Sequence, residues 1–144
     1  MLVSIVIRTL NEEKYLDELL GAINFQEKDG FNSEVVIVDS GSTDKTLEIA
    51  RKYNSRVTYI DKKEFSFGKS LNIGCDYADG EYLVFISGHC IPEDKYWLKN
   101  LVDPLIKQEC DYVYGRQIGR DTTKFSENQV FKKYFPEKTE ARVS

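Results

Sequence analysis

At 144 residues the chain has room for one domain with a real core and not for two ordinary ones. Apolar residues at 41% and charged residues at 31% describe a globular composition and exclude low-complexity or fibrous classes. A net charge of -4, with no basic stripe interleaved with aromatics, argues against nucleic acid as a partner.

No apolar run approaches the length of a membrane span, and no signal-peptide pattern follows Met1, so the expected location is the cytoplasm. Cys75, Cys90 and Cys110 are odd in number and widely spaced, which fits reduced thiols. The acidic excess lies before Arg116, while the remainder is mildly basic. That end reads as a solvated tail, and alternatively as a surface facing a diphosphate or the inner face of the membrane.

In chain order, Val3 to Arg8 is a buried strand, followed by a helix that opens at Asn11 as N-cap. Tyr15, Leu16, Leu19, Leu20 and Ile23 form its apolar stripe. The second strand starts at Val35, where four consecutive β-branched residues indicate burial on both faces, and ends at Asp39. A helix then begins near Ser42 or Thr43, with Leu47, Ile49 and Ala50 inside. A short strand over Val57 to Ile60 and a helix from about Gly68 to Ala78 follow. Tyr82 to Ser87 is the fourth strand, and Pro92 is placed to open a helix that packs Trp97, Leu98, Leu101, Val102, Leu105 and Ile106 inward. Tyr112 to Gly115 is a fifth strand, and Ser126 with Gln129 has capping-box spacing before a last short helix. This alternation predicts an α/β fold with a mainly parallel sheet and helices on both faces.

Open sheets of this kind bind ligands at the carboxyl ends of their strands. Neither GxGxxG nor GxxxxGKS/T occurs, so side chains and not a glycine loop would have to read a nucleotide. Asp39 can accept a hydrogen bond from a base edge, or serve as an ordinary turn carboxylate before Ser40, Gly41 and Ser42. Thr9, Asn11 and Glu12 stand at the neighbouring strand end, within reach of base and ribose hydroxyls.

IRTLNEE, VVIVDSGSTD and FGKSLNIGCDYADGEYLVFISGHCIPED, in this order, resemble the donor half of family 2 glycosyltransferases. The resemblance runs from about Val3 to Gly119 and implies a GT-A fold, Rossmann-like and in this length incomplete. It implies transfer of a sugar from a nucleotide diphosphate sugar to an acceptor hydroxyl with inversion. By the same resemblance Thr9, Glu12 and Asp39 would contact the nucleoside, with Ser40 beside them, and Lys69 and Asn72 would lie near the diphosphate or sugar. Residues 1–119 would be the donor domain, and 120–144 the start of an acceptor half or a partly ordered tail.

Two departures from that family stand out. Arg8 and Leu10 occupy the first strand's corner, where proline and tyrosine are frequent, and Arg8 could stack its guanidinium on a base. After the fourth strand the expected Asp-x-Asp, which would hold Mg or Mn against the diphosphate, reads Ser87, Gly88, His89. His89 is the single histidine of the chain; as imidazole it could ligate Mn or meet phosphate directly, and the bland alternative packs it on Trp97 or Tyr96. Cys90 beside it reads as a buried thiol, not as a nucleophile. Arg116 and Arg120 could reach a leaving diphosphate, and Phe125, Phe131, Tyr134 and Phe135 read as core or interface.

In the resembled family the general base comes from the half that follows the donor domain, and no carboxylate pair after Arg116 matches it. The expectation is therefore a donor-binding half of a transferase for surface polysaccharide or glycan. Alternatives are a catalytically inactive nucleotide-sugar-binding module or fragment and, disfavoured by the lack of a glycine-rich loop, a nucleotidyltransferase. A glycan or lipid-linked acceptor, peripheral membrane association and homo-oligomer formation through an uncovered sheet edge complete the expectations.

Overall fold

The computed structural model describes residues 1–114 and 140–142. The chain divides into two compact units, Met1–Leu98 and Lys99–Ser144. In the first, strand β1 (Leu2–Thr9), helix α1 (Leu16–Asn24), β2 (Asn32–Asp39), α2 (Thr46–Lys52), β3 (Arg56–Tyr59), α3 (Phe67–Tyr77) and β4 (Tyr82–Ser87) follow one another. Helix α4 (Trp97–Ile106) begins at its end. The second unit holds the rest of α4 and a two-stranded antiparallel pair, β5 (Tyr112–Tyr114) with β6 (Glu140–Arg142).

The main sheet is four-stranded and parallel throughout, in the order β3-β2-β1-β4. Its order explains where the helices go. From β1 to β2 and from β2 to β3 the chain steps the same way, so right-handed crossovers put α1 and α2 on one face, where they touch each other. From β3 to β4 it steps back across two strands, which sends α3 to the other face. Parallel strands covered on both sides must be apolar along their whole length. Accordingly Val3, Ile5, Val6, Ile7, Val36, Ile37 and Val38 are all buried.

Strand alternation sorts these residues by face. Val6, Val36 and Val38 meet Leu71, Ile73 and Ala78 on the α3 side, with Ile60 completing the cluster. Gly74 makes that contact close: a Cβ there would lie 2.4 Å from Val6 Cγ1 and 3.1 Å from Val38 Cγ2. Ile5, Ile7 and Ile37 point the other way. The stripe Leu16, Leu19, Leu20 and Ile23, at helical spacing, is fully or almost fully buried, each side chain contributing about 1.5–3 kcal/mol relative to exposure.

Three helix starts differ from the sequence reading. Helix α1 begins at Leu16, not Asn11, because Asn11 takes a left-handed φ of 52° and belongs to the loop after β1. Helix α2 begins at Thr46, its backbone N–H given to Asp44 Oδ1 at 2.9 Å, so the turn after Asp39 is longer than expected. Helix α4 begins at Trp97, five residues after Pro92, which is buried in the preceding loop. There Gln26 takes the role of cap: its Oε1 accepts from Leu98 N–H at 2.9 Å while its Nε2 donates to the Asp94 carbonyl at 2.8 Å. Of the α4 residues expected inside, Leu98 and Val102 are buried, and Trp97, Leu101, Leu105 and Ile106 are half-buried. The fifth strand exists over Tyr112–Tyr114 in its own antiparallel pair, and Gly115, its expected last residue, lies outside the described residues. Arg116, Arg120, the capping box at Ser126, and the aromatics Phe125, Phe131, Tyr134 and Phe135 lie outside the described residues.

Opposite the site, Glu34 ties the amino-terminal ends of the strands together. Its Oε1 accepts from Ser4 Oγ at 2.6 Å and from Asp79 N–H at 2.8 Å, and its Oε2 pairs with Arg56 at 2.9 Å. Arg56 also reaches Asp79 at 3.0 Å and stacks over the Tyr77 ring.

Candidate functional site

Strand β1 is the topological switch point: chain order proceeds from it to β2 on one side, and β4 returns on the other. A crevice opens beyond the carboxyl ends of strands at such a point. Here a cleft of about 170 Å³ is lined by Arg8, Thr9, Leu10, Glu12, Ser40, Phe65, Phe67, Ser87 and His89. It draws on the ends of β1, β2 and β4 and on the segment leading into α3.

The floor is a hydrogen-bonded turn. Asp39, 1% exposed, accepts at Oδ1 from Thr9 Oγ1 at 2.7 Å and from Ser42 Oγ at 2.6 Å. Its Oδ2 accepts from the backbone N–H groups of Gly41 at 3.0 Å and Ser42 at 2.9 Å. Ser40 N–H donates to the Thr9 carbonyl at 3.1 Å, prolonging the ladder past the strands. A buried carboxylate with four donors is well satisfied. Asp39 therefore organises the turn beneath the cleft and is not among the residues that line it.

The loops after β1 and β2 are laced together reciprocally. Asn11 N–H donates to Ser42 Oγ at 2.9 Å, and Thr43 N–H returns a bond to Asn11 Oδ1 at 2.8 Å. Glu12 N–H donates to Thr46 Oγ1 at 2.8 Å. Lys45 N–H donates to Glu13 Oε2 at 3.2 Å, and Glu13 N–H donates to Asp44 Oδ2 at the same distance. With its backbone so fixed, Glu12 turns its carboxylate toward β4.

There His89 Nδ1 lies 3.4 Å from Glu12 Oε1, on the side of the cleft away from β2. Gly88 lets the two strand ends approach: a Cβ would fall 2.9 Å from Glu12 Cγ and 3.1 Å from the Arg8 carbonyl oxygen. His89 is thus a neighbour of Glu12. Cys90 is half-buried, a correction to the buried thiol expected there, and no disulfide forms at any of the three cysteines.

Arg8 does not wait for a base to stack on. Its guanidinium sits 4.2 Å above the Phe67 ring, and Phe67 meets Phe65 edge-on with ring centroids 5.5 Å apart. Of the residues singled out from sequence, Thr9, Glu12, Ser40, Ser87 and His89 converge on the cleft; Asp39 and Gly88 support it; Asn11 locks its rim. Lys69 and Asn72 are exposed on α3 and do not line the cavity. Phe65 and Phe67 were missed, although two phenylalanines in the polar stretch DKKEFSFGKS were a visible signal.

A preformed Mg or Mn centre does not fit this donor set. Among the described residues no three His, Cys, Asp or Glu side chains converge on one point. At the Ser87–Gly88–His89 corner the described residues bring together one imidazole and one carboxylate, whereas Mg and Mn favour oxygen-rich octahedral sets.

Comparison with known proteins decides the family, since residues 4–143 match glycosyl transferase family 2. The chain belongs to that family. A glycosyltransferase of Methanococcus voltae, a dolichyl N-acetyl-alpha-D-glucosaminyl phosphate 3-beta-D-2,3-diacetamido-2,3-dideoxy-beta-D-glucuronosyltransferase, is 32% identical over 88% of this chain and 40% of its own length. The crystal structure of Staphylococcus aureus TarS 1-349 in complex with UDP-GlcNAc superposes with a TM-score of 0.68 at 30% identity, over 86% of this chain and 36% of that one. Glucosyl-3-phosphoglycerate synthase of Mycobacterium tuberculosis, in complex with Mn2+, UDP-glucose and phosphoglyceric acid, gives 0.62 at 26% identity, over 74% and 40%. The family 2 chain described here thus spans at most two fifths of each of these relatives. Its parallel sheet flanked by helices is their GT-A, Rossmann-like fold. Among its described residues no helix is long and apolar enough to cross a membrane.

Proposed function

We propose that this chain is the donor-binding half of an inverting glycosyltransferase that uses a uridine diphosphate sugar. The observation that carries this reading is the cleft at the switch point of β1, where Thr9, Glu12, Ser40, Ser87 and His89 converge in a fold shared with a UDP-GlcNAc complex. Thr9 and Ser40 face the nucleoside, above the Asp39 turn. Ser87 and His89 face the diphosphate, with Glu12 orienting the imidazole, so that a side-chain donor meets phosphate charge where a carboxylate-held metal would otherwise sit. Lys69 and Asn72, exposed on α3 shortly after Phe67, serve the diphosphate or the sugar.

In the transfer, the acceptor oxygen forms a bond to the anomeric carbon as the carbon–oxygen bond to the diphosphate breaks. The nucleoside diphosphate leaves with the electron pair, and the acceptor's proton passes to a general base. The acceptor is a glycan or a lipid-linked sugar, for which the dolichyl-phosphate substrate in the archaeal relative's name is the support. A lipid-linked acceptor would draw the protein to the cytoplasmic face of a membrane, where surface glycans are assembled. A binding module without turnover is not favoured, since TarS is by its full name a poly(ribitol-phosphate) beta-N-acetylglucosaminyltransferase and the archaeal relative is by name a glucuronosyltransferase.

Calorimetry with UDP-, dTDP- and GDP-sugars, in Mn and in chelator, tests the reading. Saturable binding of a UDP-sugar that persists in chelator is expected. Failure of every nucleotide diphosphate to bind in either condition would overturn it.

A further inference from the structure

We infer that Phe67, held by Arg8 and backed by Phe65, is the stacking surface for the nucleobase, and so a specificity-determining residue of the donor site. The inference rests on the nucleotide-sugar reading above and adds to it the part of the ligand that each wall takes.

The cleft has two unlike sides. Toward β4 stand the polar groups, Ser87, His89 and Glu12. The other wall is apolar and comes from the segment after β3, at the opposite end of the sheet order from β4. On it Phe67 remains 65% exposed and Phe65 38% exposed, and Leu10, at 38%, lines the same cleft. Large apolar side chains at this exposure, in a concave site, mark a surface meant to be covered. A nucleotide has one charged end and one flat, apolar-faced end, and only the flat end suits the aromatic wall.

The orientation of Phe67 is fixed before any ligand arrives. The Arg8 guanidinium lies 4.2 Å above one face of the ring, and Phe65 meets it at an interplanar angle of 76°. Ser66 caps α3 through a 3.1 Å bond from Lys69 N–H, which anchors the backbone on both sides of the ring. A preordered ring loses little freedom on binding, so most of the stacking contact appears as affinity.

The experiment compares the 144-residue chain with Phe67→Leu and Phe67→Tyr by calorimetry against uridine, UMP, UDP, UDP-GlcNAc and inorganic diphosphate. Thermal melts confirm that each variant is folded. Phe67→Leu, which keeps bulk and loses the π-face, is expected to weaken uridine, UMP and UDP alike by about 5- to 150-fold. Inorganic diphosphate is expected to bind as before, and Phe67→Tyr to restore the nucleoside affinity. Unchanged uridine affinity in Phe67→Leu would overturn the inference while leaving the donor-site reading intact. Weakening confined to UDP-GlcNAc would overturn it too, by assigning the wall to the sugar. If the parent chain bound none of these nucleotides, the donor-site reading itself would fall.

Discussion

Thr9 and Asp39 face each other at the last register position of β1 and β2, and the Thr9 hydroxyl donates to Asp39 Oδ1 at 2.7 Å. Side chains join the two strands there, directly under the cleft, as Ser4 and Glu34 join them toward the other end. The Asp39 carboxylate also gathers Ser42 Oγ and two backbone N–H groups. One residue therefore sets both the spacing of the strand ends and the path of the turn that forms the cleft's floor.

Replacing that carboxylate is expected to cost stability first. Asp39→Asn puts an amide where four donors converge, which leaves donors facing donors, and should lower the unfolding free energy by about 1–3 kcal/mol. Thr9→Val removes one donor and should cost about 1 kcal/mol. Urea unfolding of both variants checks the order; an Asp39→Asn midpoint equal to that of the parent would contradict the role given to the turn.

The β1–β4 corner is expected to be less tolerant than its exposure suggests. In Gly88→Ala the new methyl must displace Glu12 or push against the Arg8 carbonyl, which cannot rotate away. Loss of the Glu12–His89 approach should weaken UDP binding about tenfold, comparable to one charge-assisted contact of about 1.5 kcal/mol, with a smaller effect on uridine. Calorimetry with both ligands measures the split. Equal weakening of both would show that His89 and Glu12 do not serve the diphosphate.

How much of this was legible in the sequence depends on whether an element is fixed by its own residues. The strand β4 was placed to the residue and β1 within one residue at each end, because unbroken β-branched and aromatic runs belong to covered parallel strands, whereas β2 begins at Asn32, three residues before the apolar run at Val35 from which it was read. The ends of α1, α2 and α4 were not, because each is set from outside its own segment. Asn11 looks like a cap, yet its side chain serves Thr43 across the neighbouring loop; α4 is capped by Gln26, seventy-two residues before Leu98. The site shows the same division. Thr9, Glu12 and His89 stand at strand ends and were readable there, whereas the Arg8–Phe67 stack depends on how α3 docks, which no local pattern records.

That docking is itself testable. Gly74→Ala would set a Cβ 2.4 Å from Val6 Cγ1, so α3 must move off the sheet at a cost of about 1–3 kcal/mol. Val6→Ala removes the obstructing methyl groups. The double variant should therefore be more stable than the sum of the two single losses, a coupling read by urea unfolding of all four proteins. Strict additivity would contradict the packing described.

The far end of the sheet should set part of the acid limb of stability. Burial alone would raise the Glu34 carboxyl, but hydrogen bonds from Ser4, Asp79 N–H and Arg56, with the Arg56 charge, hold it below the ordinary glutamate range. A depressed folded value means that the stabilisation is complete above the unfolded value, about pH 4.3, and disappears as pH falls through the lower folded value. Glu34→Gln should then be less stable than the parent at neutral pH, and the difference should shrink below about pH 4. Unfolding curves from pH 7 to pH 3 follow it; a constant difference would rule out the linkage.

The central claim is that the switch-point cleft receives the nucleotide, and amide chemical-shift mapping during a UDP titration tests it most directly. Saturable shifts are expected at Thr9, Glu12, Ser40, Phe67 and His89, with little change around Glu34, Arg56 and Asp79 at the other end of the strands. Saturable shifts concentrated at that other end, or no saturable shifts at all, would contradict it.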